Sequence, residues 1–289
     1  MSVLARAARE CELRSVRWAR ALVVASIVAV GLGTIARTAS AQVNAETLKP
    51  NVLKPGWSGG VDGSFALSRG NIELLDIGGA AKVQFQTLHP ADRTPGPMRW
   101  LSQRTFLTAS GRFAERGGAP FVSQAFLFGR WTAMWHPRVG HDLFVQFQFN
   151  EFLRLRRRSV IGAGLRVEIV HEPLFVLSAG AGYMLEYETI DVAPGASDSP
   201  TALAHRMASS LTARLRLFDG GLLVQNTLFF QPRFDAWDDV RILNDLEIMA
   251  KVTDLLALGT TISILYDSAP PTSIVPLDLR MTSTVRLSF

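Results

Sequence analysis

The last twelve residues of the chain, Asp278-Leu-Arg-Met-Thr-Ser-Thr-Val-Arg-Leu-Ser-Phe289, alternate between two kinds of side chain. Successive side chains of a strand point to opposite sides, so a period of two predicts a β-strand with one apolar and one polar face. The polar face carries Asp278, Arg280, Thr282, Thr284, Arg286 and Ser288. The other face ends on the terminal aromatic and carries Leu279, Met281, Ser283, Val285, Leu287 and Phe289.

The same alternation recurs along the chain, with turn residues between the segments. Each segment reaches the roughly 9 to 11 residues that a tilted strand needs to cross a bilayer, whereas soluble strands average about 5 or 6. The pattern predicts an all-β fold, a single antiparallel transmembrane β-barrel over residues 57–289. Its twelve segments lie at about 57–68, 71–87, 103–115, 120–136, 142–157, 159–171, 174–190, 204–218, 221–233, 238–252, 255–267 and 278–289.

Turn lengths predict which end of the barrel faces the periplasm, but they leave the number of strands open. The connections around 171–173, 218–221 and 253–254 are short, and those at 191–201 and 268–277 are longer. Short turns are expected in the periplasm and longer loops outside. Residues 88–102 break this rule, because they form a long connection on the short-turn side. Counts of ten or fourteen strands therefore stay possible.

The cost of burying charge decides which face meets lipid. Segment 204–218 has Met207 and Leu211 on one side and Arg206, Arg214 and Arg216 on the other. An arginine facing lipid at the membrane midplane costs roughly 2 to 4 kcal/mol. The apolar side is therefore expected to face lipid and the charged side the lumen. A soluble lipocalin-like barrel would need the reverse arrangement.

The predicted lumen carries charges of both signs, which leaves two interpretations. The charges either pair and plug the lumen, or they line a narrow, weakly anion-preferring pore. The predicted lumen-facing charges are Arg154, Arg156, Arg166, Glu168, Glu186, Glu188, Arg206, Arg214, Arg216, Arg241, Asp245, Glu247, Arg280 and Arg286.

The N-terminus has the pattern of a secretory signal peptide. Arginines precede an apolar run over 21–36, which is shorter than the roughly 20 residues of a spanning helix. Ala39-Ser40-Ala41 supplies small residues for cleavage between Ala41 and Gln42. No twin arginine is present, which favours the Sec route. We therefore predict a signal peptide over 1–41, a periplasmic lead-in over 42–56, and the outer membrane of a Gram-negative bacterium as the destination.

Removal of the signal peptide changes the charge balance. It contains six of the 30 basic and two of the 25 acidic residues, which leaves 24 basic and 23 acidic residues in the mature chain. The net charge of the mature chain therefore gives no electrostatic argument for binding to nucleic acid. The only cysteine, Cys11, leaves with the signal, which excludes thiol catalysis and cysteine-ligated metal in the mature chain. No cofactor is predicted.

Enzymatic and metal-binding motifs are weak. An outer-membrane hydrolase needs a histidine and a serine close together on an outward face, but His205 is followed by Ser209 and Ser210 without a His-x-Ser pair. Asp235, Asp238 and Asp239 would suit Ca²⁺, but a solvated acidic turn is the better explanation of these three residues. No catalytic or metal-binding residue is predicted, and the protein is expected not to be an enzyme.

Several local motifs resemble the YdiY-like family of salt-induced outer-membrane proteins, whose function is unknown. Arg69 interrupts the family's Ser-Gly-Asn hairpin, and Ile72 follows where a polar residue is usual. The resemblance implies an outer-membrane barrel in contact with lipid and lipopolysaccharide, with Val285, Leu287 and Phe289 read by the barrel-insertion machinery after chaperone delivery. The motifs are Trp57-Ser58-Gly59, Ser68-Arg69-Gly70-Asn71, Arg158 with Gly162-Ala163-Gly164, Gly180-Ala181-Gly182-Tyr183 with Glu186, Gln231-Pro232 and Tyr266-Asp267-Ser268.

Overall fold

The computed structural model describes residues 55–68, 74–89, 100–116, 119–151, 153–192, 194–272 and 274–288. The predicted signal peptide, most of the lead-in and Phe289 lie outside these residues. The described chain forms twelve β-strands. They are β1 (Gly56–Ser68), β2 (Leu74–Leu88), β3 (Leu101–Arg116), β4 (Ala119–His136), β5 (Val139–Asn150), β6 (Leu155–His171), β7 (Phe175–Ile190), β8 (Thr201–Leu217), β9 (Leu222–Pro232), β10 (Val240–Lys251), β11 (Leu256–Asp267) and β12 (Leu277–Ser288).

The strands close into one antiparallel barrel. Each strand pairs with its neighbours in sequence, and β1 pairs with β12. The prediction of a single antiparallel barrel is confirmed, and the strand count is twelve. The long connection over 89–100 is therefore a real exception to the turn-length rule. Among the described residues, no helix is long and apolar enough to span a membrane.

The two ends of the barrel differ. At the end where β1 begins and β12 finishes, strands are joined by turns at 137–138, 172–174, 218–221 and 252–255, and by the connection over 89–100. We call this the termini end. At the opposite end lie the connections over 191–200, 233–239 and 268–276. We call this the long-loop end.

The barrel wall is apolar outside and polar inside. Phe65, Leu107, Ile161 and Leu165 project outward and are 49 to 67% exposed. Glu247 and other charged or amide side chains are buried inside. This distribution suits a wall in contact with lipid, because the strand pairing satisfies the backbone and buried charges such as Glu247 lie inside.

Strand β4 departs from simple alternation because its inward face is partly aromatic. Phe126 and Phe128 are buried and form a cluster with Phe106 and the half-buried Phe144. Phe144 lies directly opposite Gly162 on β6, and a Cβ built on Gly162 would be 2.2 Å from Cζ of Phe144. Gly162 thus makes room for an aromatic ring.

The seam that closes the barrel is short. The register between β1 and β12 runs from Gly60 opposite Ser288 to Gly63 opposite Val285, four residue pairs in the described chain. The register between β1 and β2 covers thirteen pairs. Fewer backbone hydrogen bonds therefore close the barrel here, and side chains contribute more to holding it shut.

Candidate functional site

A network of buried charges fills the lumen near the long-loop end. Glu186 and Glu188 lie near the end of β7. Arg158 of β6 binds Glu188 at 2.9 Å and approaches Glu186 at 3.6 Å. Arg206 of β8 reaches Glu186 at 3.4 Å, and Arg241 of β10 binds Glu186 at 2.6 Å and Glu188 at 3.0 Å. All five side chains are at most 12% exposed, so the pairs are screened little by solvent.

One of these arginines crosses the lumen. Arg241 is the second residue of β10, and two strands separate β10 from β7 in the barrel wall. Its guanidinium group also binds Asp267 of β11 at 2.8 Å. The side chain of Arg241 therefore joins β7, β10 and β11 inside the barrel.

The acidic loop before β10 belongs to the same network. Asp239 binds Arg206 at 2.9 Å and Arg233 at 3.2 Å, and Arg233 also binds Asp235 at 2.6 Å. The hydrogen bond from Arg233 is the main cause that lowers the pKa of Asp235. Two of the three aspartates considered for a metal thus bind arginine. Within the described residues, no group of three or more His, Cys, Asp or Glu is arranged to hold a metal ion.

Three loops meet over the long-loop end at Thr272. The backbone N–H of Thr272 donates to both carboxylate oxygens of Asp198 at 3.1 Å, and its hydroxyl donates to Oδ1 at 2.9 Å. Arg154 donates to the carbonyl of Thr272 at 3.1 Å. The connections over 151–154, 191–200 and 268–276 are therefore held together above the charge network.

Two of the cavities inside the described barrel contain phenylalanines of β4. One is lined on its apolar side by Phe128, Phe144 and Met184. Another is lined by Phe126 and by charged side chains that include Arg280 and Arg286. The phenylalanines of β4 line both cavities, so the interior is broken up by side chains.

Near the termini end the lumen contains a cluster of arginines. Arg104 is near the start of β3, Arg166 near the end of β6, and Arg214 and Arg216 at the end of β8. The guanidinium group of Arg214 is close enough to those of the other three to repel them electrostatically. Arg130 of β4 adjoins Arg166. We call these five residues the arginine cluster.

Two carboxylates face the arginine cluster, and both already have partners. Asp142 accepts a hydrogen bond from Thr132 and lies 3.7 Å from Arg166 and 3.9 Å from Arg130. Glu168 contacts His171 on the same strand. Among the described residues of this group, five arginines thus stand beside two carboxylates.

A third group of charges stands at the β1–β12 seam. Asp62 of β1 lies opposite Arg286 of β12, and Arg286 Nε donates to Asp62 Oδ1 at 3.0 Å. Lys82 of β2 binds Asp62 at 3.0 Å, and Arg286 also binds Glu247 of β10 at 2.7 Å. These four side chains are at most 9% exposed.

The structure distributes the sequence-predicted lumen charges over these groups. Asp245 and Arg280 lie beside one another near the second cavity. Arg154 and Arg156 lie elsewhere, because β5 ends at Asn150 and a turn precedes β6. Arg154 contacts the loop over 268–276, and the side chain of Arg156 is 67% exposed and binds Asp191. The others join the buried groups, namely Arg166, Glu168, Glu186, Glu188, Arg206, Arg214, Arg216, Arg241, Glu247 and Arg286.

Sequence reasoning missed several charges of the interior. Asp62 and Lys82 alternate with apolar neighbours in β1 and β2, so the alternation used for the other strands would have found them. Arg158 fell between two predicted segments, and Arg233 stood at the end of one, so neither was assigned to a face. Other missed interior charges are Asp76, Arg104, Arg112, Arg130, Asp142 and Asp267.

The outward-facing histidine has no serine partner. His205 Nδ1 shares a hydrogen bond with the hydroxyl of Tyr183 at 2.5 Å. Ser209 donates to the backbone carbonyl of Phe230 at 2.5 Å. The two side chains are thus held by different partners.

Comparison with known families identifies the chain. The model of a family described as a protein of unknown function, DUF481, matches residues 98–289. The chain belongs to this family. It is the YdiY-like family that the sequence motifs resemble. No curated protein matches the sequence.

Solved structures with a similar fold are outer-membrane barrels of low sequence identity. The KdgM porin is 8% identical with a TM-score of 0.40, covering 80% of this chain and 99% of that one. The NanC porin is 7% identical with a TM-score of 0.40, covering 80% and 97%. The translocator domain of the autotransporter NalP from Neisseria meningitidis is 11% identical with a TM-score of 0.38, covering 85% and 91%.

Proposed function

We propose that this DUF481 protein is a non-enzymatic outer-membrane barrel with a closed lumen, which contributes to envelope integrity or limited permeability. The single observation that carries the proposal is the ion pair between Arg241 of β10 and Glu186 of β7, at 2.6 Å across the lumen. A pair that spans the interior and is itself held by Glu188 and Asp267 blocks the path of a hydrated solute.

The orientation follows from the loops. The termini end would face the periplasm and the long-loop end the outside, after export by the Sec route and removal of residues 1–41. The outer wall would contact lipid and lipopolysaccharide. Insertion machinery and periplasmic chaperones would handle the unfolded chain, with Val285, Leu287 and Phe289 of the last strand as the recognised signal. These steps rest on the sequence patterns described above and on family membership.

Planar-bilayer conductance of refolded residues 42–289 tests the closed lumen. Only protein whose gel mobility changes on boiling should be used, because that change reports a folded barrel. We expect no discrete steps from the wild type and conducting steps from Arg241→Ser. The matched control is Arg156→Ser, which removes an exposed arginine at the same end. Regular steps from the wild type would contradict the proposal.

The second candidate is a small-solute pore. The two cavities and the positive arginine cluster favour it, because together they supply interior space and a preference for anions. If the wild type conducts, Arg214→Ala should lower its anion preference. An outer-membrane hydrolase is the least supported alternative, and absence of fatty-acid release from phospholipid micelles would exclude it.

A further inference from the structure

The arginine cluster is not explained by the closed network at the other end of the barrel. Buried ions are normally paired, and like charges brought together in a narrow space repel one another. The charge network near the long-loop end obeys this rule, with its arginines bound to Glu186, Glu188, Asp239 and Asp267. In the described part of the chain, two members of the cluster, Arg104 and Arg214, have neutral glutamine partners where the arginines of that network have carboxylates. Their charges are therefore open to compensation by an anion.

Two members of the cluster present unused donors. Arg104 donates from Nε to the amide oxygen of Gln86 at 3.1 Å, and Arg214 donates from Nε to that of Gln225 at 2.9 Å. These glutamines are neutral and buried, so they orient the guanidinium groups without cancelling their charge. Among the described residues, the terminal Nη groups of Arg104 and Arg214 donate no hydrogen bond. Both arginines are half-buried, which leaves those groups accessible to a ligand.

We propose that the arginine cluster binds an oxyanion, a phosphate or carboxylate group, in the lumen near the termini end. Guanidinium groups bind such anions through paired N–H donors, and several of them converging on one space suit a group with more than one negative charge. The oxyanion compensates the charges of Arg104 and Arg214, whose hydrogen-bond partners among the described residues are neutral. The binding site is separate from the network at the long-loop end, and it does not depend on whether the lumen conducts.

Inorganic pyrophosphate is a suitable probe for calorimetric titration of the refolded full barrel in detergent micelles at low salt. We expect saturable binding that is at least tenfold weaker for the double variant Arg104→Gln and Arg214→Gln. Glutamine keeps a polar side chain, and the variant loses two mutually repelling charges, so it should fold. The change in gel mobility on boiling checks this. Arg156→Gln, at the other end, should bind like the wild type.

The outcomes separate a site from general charge attraction. Absence of binding to folded wild-type protein overturns the proposal, as does equal binding by the folded double variant. Equal displacement of pyrophosphate by chloride at the same ionic strength also overturns it, because a built site prefers oxyanions. Citrate distinguishes the sources: competition by citrate indicates a carboxylate-bearing ligand, and selectivity for pyrophosphate indicates a phosphate. Either result supports the site, and neither depends on conductance.

Discussion

Asp62 of the first strand and Arg286 of the last strand are paired residues in the register that closes the barrel, and their side chains form a buried ion pair at 3.0 Å. The pair lies in the middle of a seam of only four described residue pairs. Lys82 binds the same carboxylate, and Glu247 binds the same guanidinium group. A row of four buried charged side chains thus lies at the seam, where the backbone pairing between strands is shortest.

The substitution Asp62→Asn should therefore destabilise the barrel strongly. It replaces the carboxylate that binds Lys82 and Arg286 with a neutral amide, so both cations lose an ionic partner in a buried place, and Arg286 keeps its contact with Glu247. Removing one partner of a buried pair costs about 3 kcal/mol or more. Urea-induced unfolding in lipid vesicles, followed by tryptophan fluorescence, measures the free energy of unfolding.

The matched control is Asp254→Asn, the same change in an exposed ion pair. Asp254 binds Lys251 at 2.6 Å, but its side chain is 94% exposed, so the substitution should leave the free energy of unfolding unchanged. If Asp62→Asn were as harmless as the control, the seam would not depend on its charges.

Gly162 should tolerate no side chain, because Phe144 covers it. A Cβ at this position would lie 2.2 Å from Cζ of Phe144, so the ring would have to move. We expect Gly162→Ala to lower the free energy of unfolding by about 1 to 3 kcal/mol, as overpacking does elsewhere. The same urea titration measures it.

Two further variants test that interpretation. A Cβ on Gly63 has no atom within 4 Å, so Gly63→Ala should not destabilise the barrel. Phe144→Leu should recover part of the loss in the Gly162→Ala background, because the smaller side chain relieves the contact. Additive losses in the double variant would show that the two residues are not coupled.

The barrel and most of its strands were predictable from the sequence, because alternation is physically forced in a wall with lipid on one side and charge on the other, although the count of twelve was left open by the turn lengths. The boundary between β5 and β6 was not predictable. Leu153 to Arg156 alternate between apolar and charged side chains, so the predicted strand continued to residue 157. The chain turns instead at Arg154, which adopts a positive φ of 58° without a glycine or proline to signal the turn. Arg154 and Arg156 were placed in the lumen for this reason.

The composition of the interior was only partly predictable. Polarity assigns phenylalanine to the lipid face, yet Phe126 and Phe128 point inward, where Phe144 and the space over Gly162 accommodate aromatic rings. Pairs such as Arg241 with Glu186 join strands that are not neighbours. They depend on how the closed barrel brings distant strands together, which a pattern along one strand does not contain.

The loops over the long-loop end should open when Asp198 is removed. Asp198→Ala deletes both acceptors of the Thr272 backbone N–H and of its hydroxyl. The loss of this exposed, charge-assisted hydrogen bond lowers the free energy of loop opening by ~1 kcal/mol. We therefore expect proteinase K to cut the loops over 191–200 and 268–276 roughly five times faster. Mass spectrometry of the fragments from protein in vesicles gives the rates. Ser199→Ala, which loses only a bond to Thr201 within its own loop, should be cut at the wild-type rate.

The ion pair between Arg233 and Asp235 should make the stability of this loop depend on pH in the acid range. The hydrogen bond from Arg233 is the largest of the effects that hold the pKa of Asp235 below its usual value. A carboxyl group with a lowered folded-state pKa stabilises the folded loop above its unfolded-state pKa, and this contribution disappears as the pH falls through the folded-state pKa. In Arg233→Gln the pKa of Asp235 should rise toward that of an ordinary aspartate. Carbon-13 NMR titration of the side-chain carboxylate in nanodiscs measures both values, with Asp254, whose pKa is lowered by Lys251, as the internal control. A rise at Asp254 as large as that at Asp235 would mean that the substitution acts through net charge and not through the pair.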